Sequence, residues 1–146
     1  MKHVLVGVLV GALALSASLA AQTQTQKPGA AGASLGTVTF KTAVMADGQR
    51  LAAGTYQVRL TGDSPKPGVG QSPESERYVE FVRSGKVAGR EVATIVPQAE
   101  IAQIADGPRP AAGGARVELL KGDDYVRVWI NRSGMHYILH LPPAKG

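Results

Sequence analysis

The stretch that decides the fold is residues 116–141, which read RVELLKGDDYVRVWINRSGMHYILHL. Apolar and polar side chains alternate over three runs, residues 116–120, 125–130 and 135–141, and turn-forming residues separate the runs. Alternation with a period of two between turn clusters is typical of antiparallel strands. The segment therefore predicts a three-stranded meander.

The register of this meander follows from its two turns. We centre two-residue turns on Gly122-Asp123 and on Arg132-Ser133, with a four-residue type I turn of the same pairing as an equal alternative for the second. The predicted pairs on one face are then all apolar: Val117–Val128, Leu119–Val126, Val126–Leu139, Val128–Tyr137 and Ile130–Met135. Because a slip of one residue would move every apolar side chain to the other face, this segregation predicts the face of each residue.

The opposite face of the meander is rich in aromatic and basic side chains. Aromatic rings beside Arg and His are typical of surfaces that recognise a peptide, a glycan or an anionic polymer. The alternative is that residues 97–114 or another strand pair cover this face and turn it into a second core. The predicted cross-strand pairs are Glu118–Arg127, Arg116–Trp129, Trp129–His136 and Tyr125–His140. The candidate binding face consists of Arg116, Tyr125, Arg127, Trp129, His136 and His140.

Further strands are predicted upstream of the meander. Residues 37–45 and 54–60 alternate as strands, with Ala46-Asp47-Gly48 as the turn between them. Residues 77–83 and 86–96 predict a hairpin around Ser84-Gly85, in which Gly89 marks a bulge that swaps faces midway. Because the alternation is blurred, no register is predicted for this pair.

Two linking segments complete the organisation of the domain. Residues 61–76 predict a long surface loop because of their Pro and Gly content. Residues 97–105 are the one helical candidate, and an irregular crossover is an equal alternative. About seven short antiparallel strands predict an all-β fold, either a single β-sandwich or a partly open barrel.

The N-terminus predicts export. Residues 1–20 have a short basic start, an uncharged run over residues 4–19 and a small-residue cleavage site ending at Ala20, which together are typical of a secretory signal peptide. The run is shorter than the about 20 apolar residues that a membrane span needs, so we expect cleavage and no stable membrane insertion. Residues 21–36 predict a flexible linker, and residues 37–146 a β-sandwich-like domain.

Composition excludes several classes of function. The chain has 146 residues, 44% of them hydrophobic, and 16 Lys and Arg against 11 Asp and Glu, a net charge of +5. The absence of cysteine excludes disulfides, thiolate metal sites and cysteine nucleophiles. Because the basic residues are scattered singly, nucleic acid is not an expected partner.

No catalytic, metal or cofactor site is predicted. Residues 32–36, GASLG, match the G-x-S-x-G pattern, but that pattern works only at a sharp turn from strand to helix. His136 and His140 share one strand face but stand roughly 13 Å apart, too far to bind one metal ion. We therefore expect a protein that is not an enzyme, with a hydrolase as the third and last choice.

One short segment carries a resemblance. Residues 51–58, LAAGTYQV, preceded by Asp47-Gly48, resemble the L-P-A-G-T-Y segment of small uncharacterised secreted bacterial β-proteins, with Ala52 in place of their proline. The resemblance implies a turn at Gly54 that feeds a strand and brings Tyr56 into the core. It also implies a bacterial envelope compartment, periplasmic or extracellular, and no cofactor.

The expected function is that of an exported, non-catalytic β domain. It would act as an envelope interaction or structural module whose partner is a protein, a peptide or a glycan of the cell envelope. The alternative is a carrier that holds a small apolar ligand in the barrel interior. It requires a cavity of a few hundred Å³ lined by Val, Leu and Tyr, and a solid core would refute it.

Overall fold

The computed structural model describes residues 29–70, 75–122 and 124–145. The predicted signal peptide and residues 21–28 of the predicted linker lie outside these ranges. The elements of the described residues are, in chain order, β1 Ser34–Phe40, β2 Val44–Ala46, β3 Gln49–Leu51, β4 Gly54–Leu60, β5 Glu76–Arg83, β6 Lys86–Pro97, α1 Ile101–Ile104, β7 Ala115–Leu119, β8 Val126–Arg132 and β9 Met135–Leu141. None of the helices within these ranges has the length and apolar character needed to cross a membrane.

Seven of the strands form one antiparallel sheet in the order β1-β4-β5-β6-β9-β8-β7, which curls into a nearly closed barrel. The predicted all-β class, a sandwich or partly open barrel of about seven strands, is confirmed. Strands β2 and β3 form a separate two-stranded hairpin.

The barrel has a seam between its two edge strands, β1 and β7. Seven strands joined in series by antiparallel pairing leave the first and the last running in the same direction. Over the described residues no ladder of hydrogen bonds joins these two strands, although they lie in contact. Within the described residues, β1 lies against β7 and β8 at this seam without being part of their hydrogen-bonded ladder.

The inner face of the sheet is an apolar core. Its centre is a cluster of three rings, Phe40, Tyr56 and Phe81, whose centroids lie 5.7 to 6.4 Å apart. Tyr56, Val58 and Leu60 of β4 are buried on this face, as the alternation predicts. Each such side chain contributes about 1.5–3 kcal/mol by leaving water, which stabilises a domain that has no disulfide.

The predicted strand over residues 37–45 is wrong in its second half. The chain leaves β1 after Phe40, and β2 and β3 turn back through Asp47-Gly48, whose φ angles of 43° and 81° are typical of a type I′ turn. This hairpin closes one end of the barrel with buried apolar side chains. Gly89 lets it approach, since a Cβ there would lie 3.0 Å from Leu51 Cδ2.

The predicted hairpin of β5 and β6 is confirmed. Its turn is Ser84-Gly85, with φ angles of 51° and 74°. Phe81 pairs with Gly89 and the next residue pairs with Val87, so one residue of β6 is extra. This is the predicted bulge, and it changes which face of β6 points inward.

The register of the meander is confirmed in its first hairpin and wrong by two residues in its second. Val117 pairs with Val128 as predicted, but Val128 pairs with Leu139 instead of Tyr137. The second turn is Ser133-Gly134, with φ angles of 52° and 77°. A type I′ turn requires positive φ at both positions, and glycine meets that requirement best at the second. Because the displacement is two residues, the faces remain as predicted.

The predicted linker, residues 21–36, extends too far along the chain and includes residues that belong to the domain. Strand β1 begins at Ser34, and Leu35 is buried in the core. Gly29 N donates to the Tyr137 hydroxyl at 3.1 Å, and Gly32 N donates to the Leu60 carbonyl at 2.6 Å. Residues 29–36 therefore belong to the domain, because one apolar side chain and these backbone bonds hold them over the end of the barrel opposite the β2–β3 hairpin.

Candidate functional site

The candidate binding face is covered at its centre. The single turn α1, within the predicted helical segment, places Ile101 against Trp129, and the two side chains are 0% and 1% exposed. Val96, Ile138 and Ala105 complete a second apolar core on the outside of the barrel. The prediction that Trp129 is exposed on a binding face is therefore wrong. The alternative, that residues 97–114 cover this face, is correct.

The polar groups beneath α1 are paired with each other. Trp129 Nε1 donates to His136 Nδ1 at 2.7 Å, so the proton of the neutral ring lies on Nε2, which donates to Gln98 Oε1. Burial lowers the pKa of His136, and the positive charge of Arg109 lowers it further. His136 is thus a neutral structural residue whose two ring nitrogens are both occupied.

Arg127 is also committed to structure. Its Nε donates to Glu118 Oε1 at 2.9 Å, its Nη2 donates to the same carboxylate and to the Asp106 carbonyl, and its guanidinium carbon lies 5.0 Å from the centroid of the Trp129 ring. The predicted Glu118–Arg127 pair is confirmed. The cation over the Trp129 ring is Arg127, although Arg116 is the residue directly paired with Trp129, as predicted. Arg127 fastens the segment that follows α1 to the sheet.

Three of the six candidate residues remain at the surface. Arg116, Tyr125 and His140 are exposed. The rings of Tyr125 and His140 meet edge to face, with centroids 6.3 Å apart. Desolvation lowers the pKa of His140, and the charge of Arg127 acts in the same direction. What is left of the predicted face is a small aromatic surface formed by Tyr125 and His140, together with Arg116, whose Nη2 lies 3.6 Å from Glu118 Oε2.

A pocket that the sequence did not indicate lies at the seam, and we call it the seam pocket. Its volume is about 230 Å³. It is bounded by the end of β1, the link to β2, the end of β7 and the start of β8. The residues that line it are Thr39, Phe40, Lys41, Thr42, Val44, Val117, Leu119 and Val126.

The wall of the seam pocket is apolar and its rim is cationic. Phe40, Val44 and Val126 are buried, whereas Leu119, predicted on the buried face, is 56% exposed because β7 ends there. Lys41 is exposed at the rim and is the one charged residue among the described lining residues. No hydrogen bond or ion pair joins the ammonium group of Lys41 to any other residue that the structure describes.

The groups weighed for catalysis lie on strands β1 and β9. Ser34 of the GASLG sequence is an exposed residue that begins β1, and no helix follows it. His136 is buried and His140 is exposed on the same strand, β9. Across the described ranges, no three His, Cys, Asp or Glu residues are grouped so that they could hold a metal ion.

The sequence signal for the seam pocket is weak because the pocket joins residues that are far apart in the chain. Phe40 and Val117 are recognisable separately as inward-facing strand residues. That they share one pocket depends on β1 and β7 being the two edges of the sheet.

No protein-family model matches this chain, and no curated protein or solved structure does either.

Proposed function

We propose that this protein is an exported, non-catalytic domain that binds a small apolar ligand in the seam pocket. The observation that carries the proposal is the pocket itself, a concave apolar site of about 230 Å³ that opens between two unpaired strand edges. Concave apolar sites with a few polar groups are the usual form of ligand sites in proteins.

The volume of the pocket sets the size of the ligand. An apolar cavity of about 150 Å³ holds benzene, and drug-sized ligands occupy about 300–1,000 Å³. By proportion, 230 Å³ suits a ligand of about nine carbon atoms. The expected ligand is therefore smaller than the lipids that fill wide barrels.

The position of the pocket modifies the carrier hypothesis. That hypothesis expects a cavity inside the barrel lined by Val, Leu and Tyr. Tyr56 instead belongs to the ring cluster of the core and is not among the residues that line the seam pocket. The seam supplies Val and Leu side chains together with Phe40, so we place the ligand between strands and not along the axis.

The non-catalytic part of the proposal is supported by the two histidines that the structure describes, His136 and His140. Both ring nitrogens of His136 are bonded, to Trp129 and to Gln98, beneath α1. A general base needs a free nitrogen within reach of the proton it removes. His140 lies against the ring of Tyr125 at the surface. The export part is supported by the signal-peptide pattern of residues 1–20 and by the resemblance around Gly54.

The interaction-module hypothesis is the second candidate, and a different surface supports it. Tyr125 is 46% exposed, and its ring meets His140 edge to face. Exposed tyrosine is enriched at protein interfaces. If this surface binds an envelope partner, Tyr125→Ala abolishes that binding and leaves ligand binding at the seam unchanged.

The test is a binding titration with a neutral apolar fluorophore, N-phenyl-1-naphthylamine, on the protein expressed from its full sequence. Val117→Phe fills the seam pocket, and we expect it to weaken probe binding at least tenfold. Val87→Phe is the matched control, because Val87 is a strand valine that is 52% exposed and lies outside the pocket lining. Emission of the buried Trp129 verifies that each variant is folded. Equal probe affinity in the wild type and in folded Val117→Phe would overturn the proposal.

A further inference from the structure

The rim of the seam pocket has a charge of one sign. Lys41 carries the one charge among the described lining residues, and its ammonium group has no bonded partner in the described part of the chain. The remaining polar groups at the rim are the hydroxyls of Thr39 and Thr42. The Thr39 hydroxyl already shares a hydrogen bond of 2.8 Å with the Thr55 hydroxyl.

The backbone around Lys41 is held on both sides. Phe40 is 2% exposed and Val44 is 0% exposed, so the link between them is anchored in the core at each end. The C-terminal segment pins it further, because Ala144 N donates to the Ala43 carbonyl at 2.9 Å and Met45 N donates to the Pro142 carbonyl at 2.7 Å. The Cα atom of Lys41 is therefore held beside the pocket, while its side chain retains freedom to turn toward a ligand.

We infer that the ligand of the seam pocket is a medium-chain carboxylate whose hydrocarbon tail lies in the pocket and whose headgroup pairs with Lys41. The tail contacts Phe40, Val117 and Val126, which form the apolar wall. An apolar chain with one anionic end matches an apolar wall with one cationic rim. This inference rests on the proposed function and names the ligand class for the same site.

Two forces act on such a ligand, and they differ in size. Burial of the tail supplies most of the affinity, because it removes apolar surface from water. The headgroup pair is exposed at the rim, where ion pairs are weak and screened by salt. We therefore expect removal of the Lys41 charge to weaken carboxylate binding about two- to fivefold.

The experiment compares three ligands with one tail: octanoate, octanol and octylammonium. Each displaces the neutral fluorophore from the wild type, and we expect octanoate to bind most tightly and octylammonium least. Lys41→Gln should weaken octanoate binding about two- to fivefold and leave octanol unchanged. Lys41→Glu should reverse the order of the two charged ligands.

A matched control separates the local charge from the net charge of +5. Lys86→Gln removes the same charge from an exposed residue that does not line the pocket. It should leave octanoate affinity within experimental error of the wild type. If Lys86→Gln weakens octanoate binding as much as Lys41→Gln does, the inference is overturned.

The remaining outcomes distinguish the inference from the proposed function. Equal binding of octanoate and octanol, unaffected by Lys41→Gln, overturns the headgroup inference while the apolar-ligand function stands. If none of the three ligands displaces the fluorophore, or if Val117→Phe binds them as the wild type does, the proposed function fails and the inference fails with it.

Discussion

Two parts of this domain differ in composition and in accessibility: the outer face of β8 and β9, and the seam between β1 and β7. The outer face holds His136 together with Trp129 and Arg127, and tryptophan and arginine are enriched where proteins bind partners. It is nevertheless closed, because α1 covers it and its polar atoms are bonded to one another. The seam offers valine, leucine and phenylalanine, which look like ordinary core, and it is open.

The difference shows that composition alone does not predict which surface is available. A face rich in aromatic and basic groups becomes core when a crossover segment brings one apolar residue, here Ile101, and one amide, Gln98, to satisfy it. A plain apolar stripe becomes a pocket when the strands beside it have no ladder between them. The following predictions test this comparison in order of decreasing effect.

The largest effect is expected at the centre of the outer face. Trp129→Ala should lower the free energy of unfolding by about 3–5 kcal/mol, because it empties a large buried volume and leaves His136 Nδ1 without its donor. Urea unfolding followed by circular dichroism measures this. Tyr125→Ala is the control, since that ring is 46% exposed. A Trp129→Ala loss as small as that of the control would mean that the outer face is not a core.

The cover itself is the next target. Ile101→Ala should lower the free energy of unfolding by about 2–5 kcal/mol and shift Trp129 emission to the red, because α1 no longer excludes water from the ring. Ile104→Ala, at a position 60% exposed on the same turn, should change stability by less than about 0.5 kcal/mol. Unshifted emission in Ile101→Ala would contradict the assignment of Ile101 as the cover.

The closed face should also make stability depend on pH. The pKa of His136 is lowered in the folded protein by burial and by Arg109, so the unfolded chain takes up the proton first as the pH falls. Stability is therefore fully present above the ordinary histidine pKa of 6.5 and decreases as the pH falls below it.

Urea midpoints between pH 7.5 and 5.5 measure this dependence, in a range above the titration of most carboxylates. In His136→Gln the slope should flatten. His140→Gln should retain the contribution of His136. A slope that is identical in wild type and His136→Gln would show that the buried ring does not couple folding to protonation.

The smallest effect on stability is expected at the seam. Leu119→Ala should change the free energy of unfolding by no more than about 0.5 kcal/mol, because this side chain is 56% exposed at the end of β7. Leu139→Ala, at a fully buried position on the same face of the sheet, should cost about 2–5 kcal/mol. Similar losses at the two positions would show that the seam is closed by tight packing.

How far sequence reasoning reached can be judged from the meander. The faces of β7, β8 and β9 were predictable because alternation and burial share a period of two. The first register was predictable from Gly122. The second was not, because Arg132-Ser133 and Ser133-Gly134 leave the same residues on each face, and only the positive φ values at Ser133 and Gly134 distinguish them.

Two boundaries escaped prediction for a related reason. Leu35 is a single apolar residue in a polar, Gly-rich stretch. It is buried only because it packs against the core that the curled sheet encloses. The split between Phe40 and Val44 is likewise imposed by the hairpin that closes the other end. A local sequence pattern cannot predict contacts with the ends of the barrel, because these ends form only when the whole sheet has curled.

The sequence by itself determined the β class, the inner and outer faces of the meander, and the turns at Asp47-Gly48 and Ser84-Gly85, because strand alternation and turn geometry are local properties of the chain. Only the tertiary structure decided that Trp129 is covered and that Lys41 stands over an open pocket. The first outcome depends on the crossover between β6 and β7, which packs Ile101 in the same cluster as Trp129. The second depends on the order of the seven strands, which brings two distant edges together in the same direction and leaves them without a shared ladder.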